Sequence, residues 1–327
     1  MALVTVVMAA YNAAEHIVEA IDSVLNQSFR DFELLVVDDG STDGTPDILR
    51  SYGDRIRVHT QLNSGSPAAA RNSGIRHANS KYVAFFDADD VMERDQLLNS
   101  STVLERAPDV CLCFSNFQPF GDVADRRPWF QREHVARLMA GVPTTVVIEP
   151  LHTCDRPIFD ELIQSNYVHT STVMIRRDIL LEHHMFDESL FSGEDWDLWL
   201  RLAKAGCRFG YCSRVMSQYR IQSSSVSRSA KHHESIITLL LRLEGQITDP
   251  FLERILASRL TAQYRDQGWA RRCDGDYRRA IASYSRSLVI GGRMLNRDDV
   301  AWAASQILKT LTLWMISPMR LSRFNRQ

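Results

Sequence analysis

The chain of 327 residues has six cysteines, Cys111, Cys113, Cys154, Cys207, Cys212 and Cys273, but no C-x-x-C pair among them and no His at zinc spacing. That excludes a small zinc module and leaves reduced, buried thiols of a cytosolic protein as the expectation. Base is not in excess either: 38 Lys and Arg stand against 40 Asp and Glu, a net charge of -2. No overall basic field points to nucleic acid. Apolar runs are short, and none approaches the ~20 residues a membrane-spanning helix needs. The chain enters "LVTVVMAAYN" without a basic stretch ahead of it, so no signal peptide is expected. What remains is a globular composition with 45% hydrophobic residues.

The first hundred residues alternate between two periods. "LVTVVMAA" (3–10) reads as a strand buried on both faces. Asn12 is placed to cap a helix reaching about Gln27, with Glu15 as the acid of a capping box. "FELLVVDD" (32–39) is a second strand, and Thr45-Pro46 opens a short helix with Pro46 at its first position. "IRVHT" (56–60), a helix opened by Ser66-Pro67, and "KYVAFFD" (81–87) follow. Such alternation implies right-handed crossovers and a parallel sheet covered by helices.

In an open α/β sheet, ligands sit beyond the carboxyl ends of the strands. Three of those ends are polar here: Tyr11-Asn12, Asp38-Asp39 and Asp87-Ala88-Asp89-Asp90. Like charges this close repel, unless they converge on a hard cation that takes oxygen ligands. Solvated acidic turns would also account for any one of them.

"VTVVMAAYNA", "FELLVVDDGSTDGT", "NSGSPAAARNSGI", "YVAFFDADD" and "SGEDWDLWLRLAKAG" (192–206) occur in that order. In this order and spacing the chain resembles the family-two inverting glycosyltransferases of the GT-A fold over about residues 3–225. The resemblance implies an α/β, doubly wound, mostly parallel, Rossmann-like sheet in a domain spanning 1–228. Residues 1–108 would form its nucleotide-binding half and 109–228 its acceptor half, with a helical region over 229–327. It also implies roles. Tyr11 would stack on the base, and Asp39 would accept the N3–H of uracil or thymine while Asp38 is structural. Arg71 would contact the nucleotide or its phosphates, Asp87 the ribose, and Glu194 would belong to the same nucleotide-sugar site. Asp89 would bind Mn²⁺ or Mg²⁺ with Asp90 in support, and Asp195 would be the general base. Ser192 could instead cap the helix that these last acids open, which alone would explain them.

The pattern departs from the family at "QYRIQSSSVS" (218–227), where Gln222 stands in place of a usual His. Gln is a poor metal ligand but can still donate to a phosphate. "VCLCFSNF" (110–117) reads as another strand, and the loop that follows carries Trp129 and Phe130, where the resemblance implies the acceptor and an ordinary surface excursion would account for the sequence equally well. "AQYRDQGWARRCDGDYRRAIASYSRSL" (262–288) is similar to one tetratricopeptide unit. Solenoids need about three units. A hairpin packed on the catalytic domain or on a neighbouring subunit is therefore expected, covering Trp269, Tyr277, Ile281, Tyr284 and Trp302. The tail (307–327), with Lys309, Arg320, Arg323 and Arg326 broken by Pro318, could touch an anionic membrane, and a packed terminal helix would explain it as well.

The expected activity is transfer of a sugar from a nucleotide-sugar, UDP-linked, to a saccharide or lipid-linked saccharide. The context implied is bacterial surface polysaccharide, made in the cytoplasm or at the inner face of the membrane. Two alternatives stand beside it. One is a metal-dependent nucleotidyl- or phosphotransferase, opposed by the lack of a Walker Lys near "DDGSTDGT" and of an Asp at the first strand end. The other is a non-catalytic helical scaffold, which would tolerate loss of the acids.

Overall fold

A computed structural model describes residues 1–121, 135, 139–222, 229–291 and 297–316. Trp129, Phe130, the serines after Gln222, Pro318 and the three tail arginines lie outside the described residues.

The apolar run at the N-terminus forms β1 (Val4–Ala10), buried along almost its whole length. α1 (Ile17–Leu25) turns Ile17, Ala20, Ile21 and Val24 inward. It starts four residues later than Asn12 predicts and has no side-chain cap. Asn12 has φ +49°. Its Oδ1 accepts from Thr42 N at 2.8 Å, so it ties together the loops after the first two strands instead. β2 (Phe32–Asp38), α2 (Thr45–Ser51) with its early proline, and β3 (Arg57–Thr60) follow as expected. α3 (Pro67–His77) is capped by Ser66, whose hydroxyl accepts from Ala68 N. A Cβ on Gly74 would come within 2.3 Å of Val7, so only glycine lets α3 press this closely on β1.

β4 (Tyr82–Asp87), β5 (Val91–Met92), α4 (Gln96–Arg106), β6 (Val110–Gly121), β7 (Thr144–Ile148) and β8 (Leu151–Cys154) come next. α5 (Phe159–Gln164), a 3₁₀ turn at Thr170–Thr172, β9 (Met174–Arg176), α6 (Arg177–Glu182), α7 (Glu194–Lys204) and β10 (Arg208–Ile221) complete this unit.

The sheet runs β3-β2-β1-β4-β9-β6-β10-β8-β7, with β5 on β10. β3, β2, β1 and β4 are parallel. β9 enters antiparallel between β4 and β6. The strand order reverses direction at β1, and the register there aligns Ala10 with Asp38 and Ala9 with Asp87. Tyr11, Asp39 and the acidic triplet therefore leave the sheet side by side, at the place where such folds hold ligands.

Contacts divide the chain into two compact units, Met1–Leu190 with Glu194–Ser223, and Phe191–Gly193 with Ser224–Gln327. The second is helical: α8 (Ala230–Leu243), α9 (Pro250–Cys273), α10 (Tyr277–Gly291) and α11 (Arg297–Ile316). α8 and α9 are capped by the side chains of Ser229 and Asp249. Tyr284 is fully buried in this unit, and Trp269 and Trp302 are 55% and 42% exposed in the single chain. All six cysteines are free, and of these Cys273 is exposed.

Candidate active site

At the end of β1 the ring of Tyr11 is 51% exposed, a surface aromatic and not a core one. Next to it, Asp38 Oδ1 accepts from Ser41 N at 3.0 Å and shapes the turn after β2. Asp39 is buried. Its oxygens accept from Gln61 Nε2 at 2.7 Å, from Ser64 Oγ at 2.8 Å and from Ser64 N at 3.1 Å. A base N–H reaching Asp39 would have to share these oxygens with Ser64 or displace it.

Arg71, from the first turns of α3, is buried between two carboxylates. Its Nη2 donates to Asp87 Oδ1 at 2.6 Å and its Nη1 to Glu194 Oε1 at 2.5 Å. It is not a solvated surface arginine. It joins the end of β4 to the start of α7, motifs 107 residues apart in the chain. Burial opposes ionisation of Asp87, but Arg71 and His169 beside it outweigh this and lower its pKa. Glu194 sits deeper, and burial, with the neighbouring charge of Asp195, pushes it up to about 7 despite Arg71. One guanidinium serving both acids holds Asp87 ionised more firmly than Glu194.

The triplet after β4 divides by environment. Asp90 is buried and saturated: Oδ2 accepts from Ser171 Oγ at 2.6 Å and faces His169 Nε2 at 2.8 Å, and Oδ1 accepts from Arg220 N at 2.9 Å. Asp89 accepts from Gln222 Nε2 at 3.2 Å, so the glutamine standing for the usual His lies at the expected metal ligand. Burial first, then Asp90 and Asp87, push Asp89 up to about 7. Burial opposes a charge on His169, yet the hydrogen bond and charge of Asp90 outweigh it and raise its pKa. Donor atoms of Asp87, Asp90 and His169 lie within 4.8 Å of one another. Two carboxylates and an imidazole in one place are a donor set that a divalent cation can take, and Asp89, the expected ligand, is not one of the three.

Asp195, in the first turn of α7, accepts from Thr170 Oγ1 at 2.9 Å and from Asn166 Nδ2 at 3.2 Å on each oxygen. Ser192 Oγ lies 2.8 Å from His232 Nδ1, so its hydroxyl faces α8. Asn166, His169, Thr170 and Ser171 were not singled out by the motifs. Their signal was a polar run, "SNYVHTST" (165–172), interrupting apolar sequence ahead of the short strand β9.

No described helix is long and apolar enough to cross a membrane. A family model described as "Glycosyl transferase family 2" matches residues 5–183. TuaG of Bacillus subtilis, a glycosyltransferase named for teichuronic acid biosynthesis, is 31% identical over 69% of this chain and 81% of its own. WfgD of Escherichia coli, named as a UDP-Glc:α-D-GlcNAc-diphosphoundecaprenol β-1,3-glucosyltransferase, is 27% identical over 78% of this chain and 88% of its own. Three longer matches, uncharacterized glycosyltransferases of Rickettsia species, are spanned over only about a third of their length. Among solved structures, Staphylococcus aureus TarS 1–349 in complex with UDP-GlcNAc superposes with a TM-score of 0.63. That match has 17% sequence identity and covers 98% of this chain and 92% of that one.

Proposed function

The chain belongs to glycosyl transferase family 2 and is a glycosyltransferase, and from that premise we propose that it transfers a sugar from a UDP-linked donor to a hydroxyl acceptor with inversion at the anomeric carbon. The observation that carries the reading is the Arg71 bridge, which holds the donor-side Asp87 and the Glu194-Asp195 pair at one edge of the sheet. Relatives named for polysaccharide work, and a structural neighbour holding UDP-GlcNAc, support a uridine nucleotide and a glycan or lipid-linked glycan acceptor.

In this reading Tyr11 stacks on uracil and Asp39 receives its N3–H. Asp87 meets the ribose, its orientation set by Arg71. Asp89, with Asp87, Asp90 and His169 close by, would hold Mn²⁺ or Mg²⁺, which offsets charge on the departing diphosphate. Asp195 takes the proton of the acceptor hydroxyl as its oxygen bonds to the anomeric carbon, and the bond from that carbon to the diphosphate oxygen breaks on the opposite face. One displacement inverts the centre, and Asp195 ends protonated.

Asp195→Asn keeps the shape and removes the base. Transfer should fall by about 10²–10⁴-fold, the usual contribution of a positioned acid–base group, with UDP affinity unchanged. Asp89→Asn should weaken Mn²⁺-dependent UDP binding measured by calorimetry, because an amide is a poorer ligand for a hard cation. A folded Asp195→Asn that keeps more than about half of the transfer would refute the base assignment.

A further inference from the structure

We infer that Thr170, with Asn166, is a positioning residue for Asp195, and that the short turn carrying Thr170 fixes the base relative to the acidic triplet. The inference rests on reading Asp195 as the base. A carboxylate works as a base only if one lone pair keeps facing the incoming hydroxyl, and a lone Asp in the first turn of a helix is free to rotate about its last torsion. Asp195 is held instead. Its Oδ1 accepts from Trp196 N at 2.6 Å, its Oδ2 from the Thr170 hydroxyl at 2.9 Å, and Asn166 Nδ2 spans both oxygens at 3.2 Å. Thr170 is 2% exposed, so its donation takes place away from competing water.

The residues flanking Thr170 reach the other motif. His169 Nε2 lies 2.8 Å from Asp90 Oδ2, and Ser171 Oγ donates to the same oxygen at 2.6 Å while accepting from Asp87 N at 3.1 Å. Three consecutive side chains thus touch both acidic motifs, the middle one on the base and the outer two on the triplet. The turn is itself fixed, since Gln96 Nε2 donates to Ser171 O at 2.6 Å. α7 is pinned to the same stretch: Trp196 Nε1 donates to Leu162 O at 2.8 Å and Trp199 Nε1 to Val168 O at 3.1 Å. A hydroxyl needing only to be satisfied could have bonded a backbone carbonyl, as Thr172 Oγ1 does to His169 O at 2.7 Å. Thr170 bonds the base instead.

The test compares wild type, Thr170→Val, Thr170→Ser, Asn166→Ala and Asp195→Asn in the full chain. UDP release is followed from whichever of UDP-glucose, UDP-galactose and UDP-N-acetylglucosamine the wild type turns over, with water as acceptor. UDP binding with Mn²⁺ is measured by calorimetry. Thr170→Val should lower kcat by about 10-fold or more, since small misplacements of a reacting group are costly, while donor KM and UDP affinity stay within about twofold. Thr170→Ser, which keeps the hydroxyl, should recover most of the loss, and Asn166→Ala should lose less than Thr170→Val. If Thr170→Val does not fold, Asn166→Ala carries the test, because Asn166 is exposed and a drop in kcat alone is then the supporting result. An unchanged kcat in Thr170→Val, a drop matched by weaker UDP binding, or failure of Ser to rescue overturns the positioning role. If any of these occurs while Asp195→Asn is inactive, the base reading stands without it. An active Asp195→Asn, or a wild type that turns over none of the donors, removes the base reading and this inference with it.

Discussion

The sheet unit and the helical unit bury polar groups of different kinds. Among the described residues, the sheet unit buries Asp38, Asp39, Arg71, Asp90, Glu161 and Glu194, and the polar side chains buried to the same degree in the helical unit are Ser, Thr and Gln. Buried charges are costly, and replacing such a pair with apolar residues is often stabilising. Neutral groups paired across helices cost little and contribute modestly. Buried acids thus gather in the sheet unit, which holds the candidate site, although Glu161 there is a buried acid paired with Arg156, and Arg259 in the helical unit is held by burial below its usual pKa. Substitutions can test that contrast from either side.

The largest stability effect should come from Arg71→Met. It strands Asp87 and Glu194, whose side chains are 26% and 6% exposed. Breaking a buried pair by removing one partner typically costs about 3–5 kcal/mol, and urea denaturation would read this directly. The loss should shrink in acid. Glu194 is already pushed up to about 7 in the folded chain, so its protonated form suits the fold and stability falls as pH rises through that range. Removing the opposing cation steepens that fall. Arg71→Met with wild-type stability at pH 8 would mean that the bridge is no more costly to lose than a helical serine, and the contrast would fail.

Smaller in scale is Gly268→Ala in α9. A Cβ there would meet the Tyr284 ring at 2.7 Å, and that ring is fully buried and cannot swing aside. Overpacking a close helix contact costs about 1–3 kcal/mol. UDP binding should be unaffected. A lower urea midpoint together with weakened UDP binding would contradict the separation of roles.

These two sites also differ in how openly the sequence announced them. Tyr11, Asp39 and the triplet were legible because each follows a continuous apolar strand, and parallel register brings strand ends together without further information. The expectation for α1 erred at Asn12 because an Asn before a helical pattern can also bond a neighbouring loop, as it does to Thr42. The stretch after β5 was opaque for a related reason. β9 has three residues and enters antiparallel, and Thr170 meets Asp195 only through a contact 25 residues away. Arg71 was legible as a residue of the site but not as a bridge, because neither carboxylate it joins is near it in sequence. The helical pattern marked the α9–α10 hairpin, in which Gly268 packs on the buried Tyr284 ring, and Trp269 and Trp302 stay partly exposed in the single chain.

The smallest effect expected is that of Ser283→Ala, and it probes the helical unit's side of the contrast most finely. Ser283 Oγ lies 2.9 Å from Gln267 Oε1 and accepts from Arg271 Nη1 at 3.0 Å, linking α10 to α9. Ser283 and Gln267 are 1% and 3% exposed, so the variant leaves a buried amide oxygen without this donor. The loss should be about 0.5–1.5 kcal/mol, because a neutral hydrogen bond contributes little net and alanine is the better helix former. Pairing it with Gln267→Leu should bring the urea midpoint back toward wild type, since removing both partners takes away the unsatisfied group. The corresponding repair in the sheet unit, Arg71→Met with Asp87→Asn and Glu194→Gln, should restore stability but not transfer. If the helical double variant also lost transfer while remaining folded, the helical unit would have a part in the chemistry and the division of roles drawn from burial would be wrong.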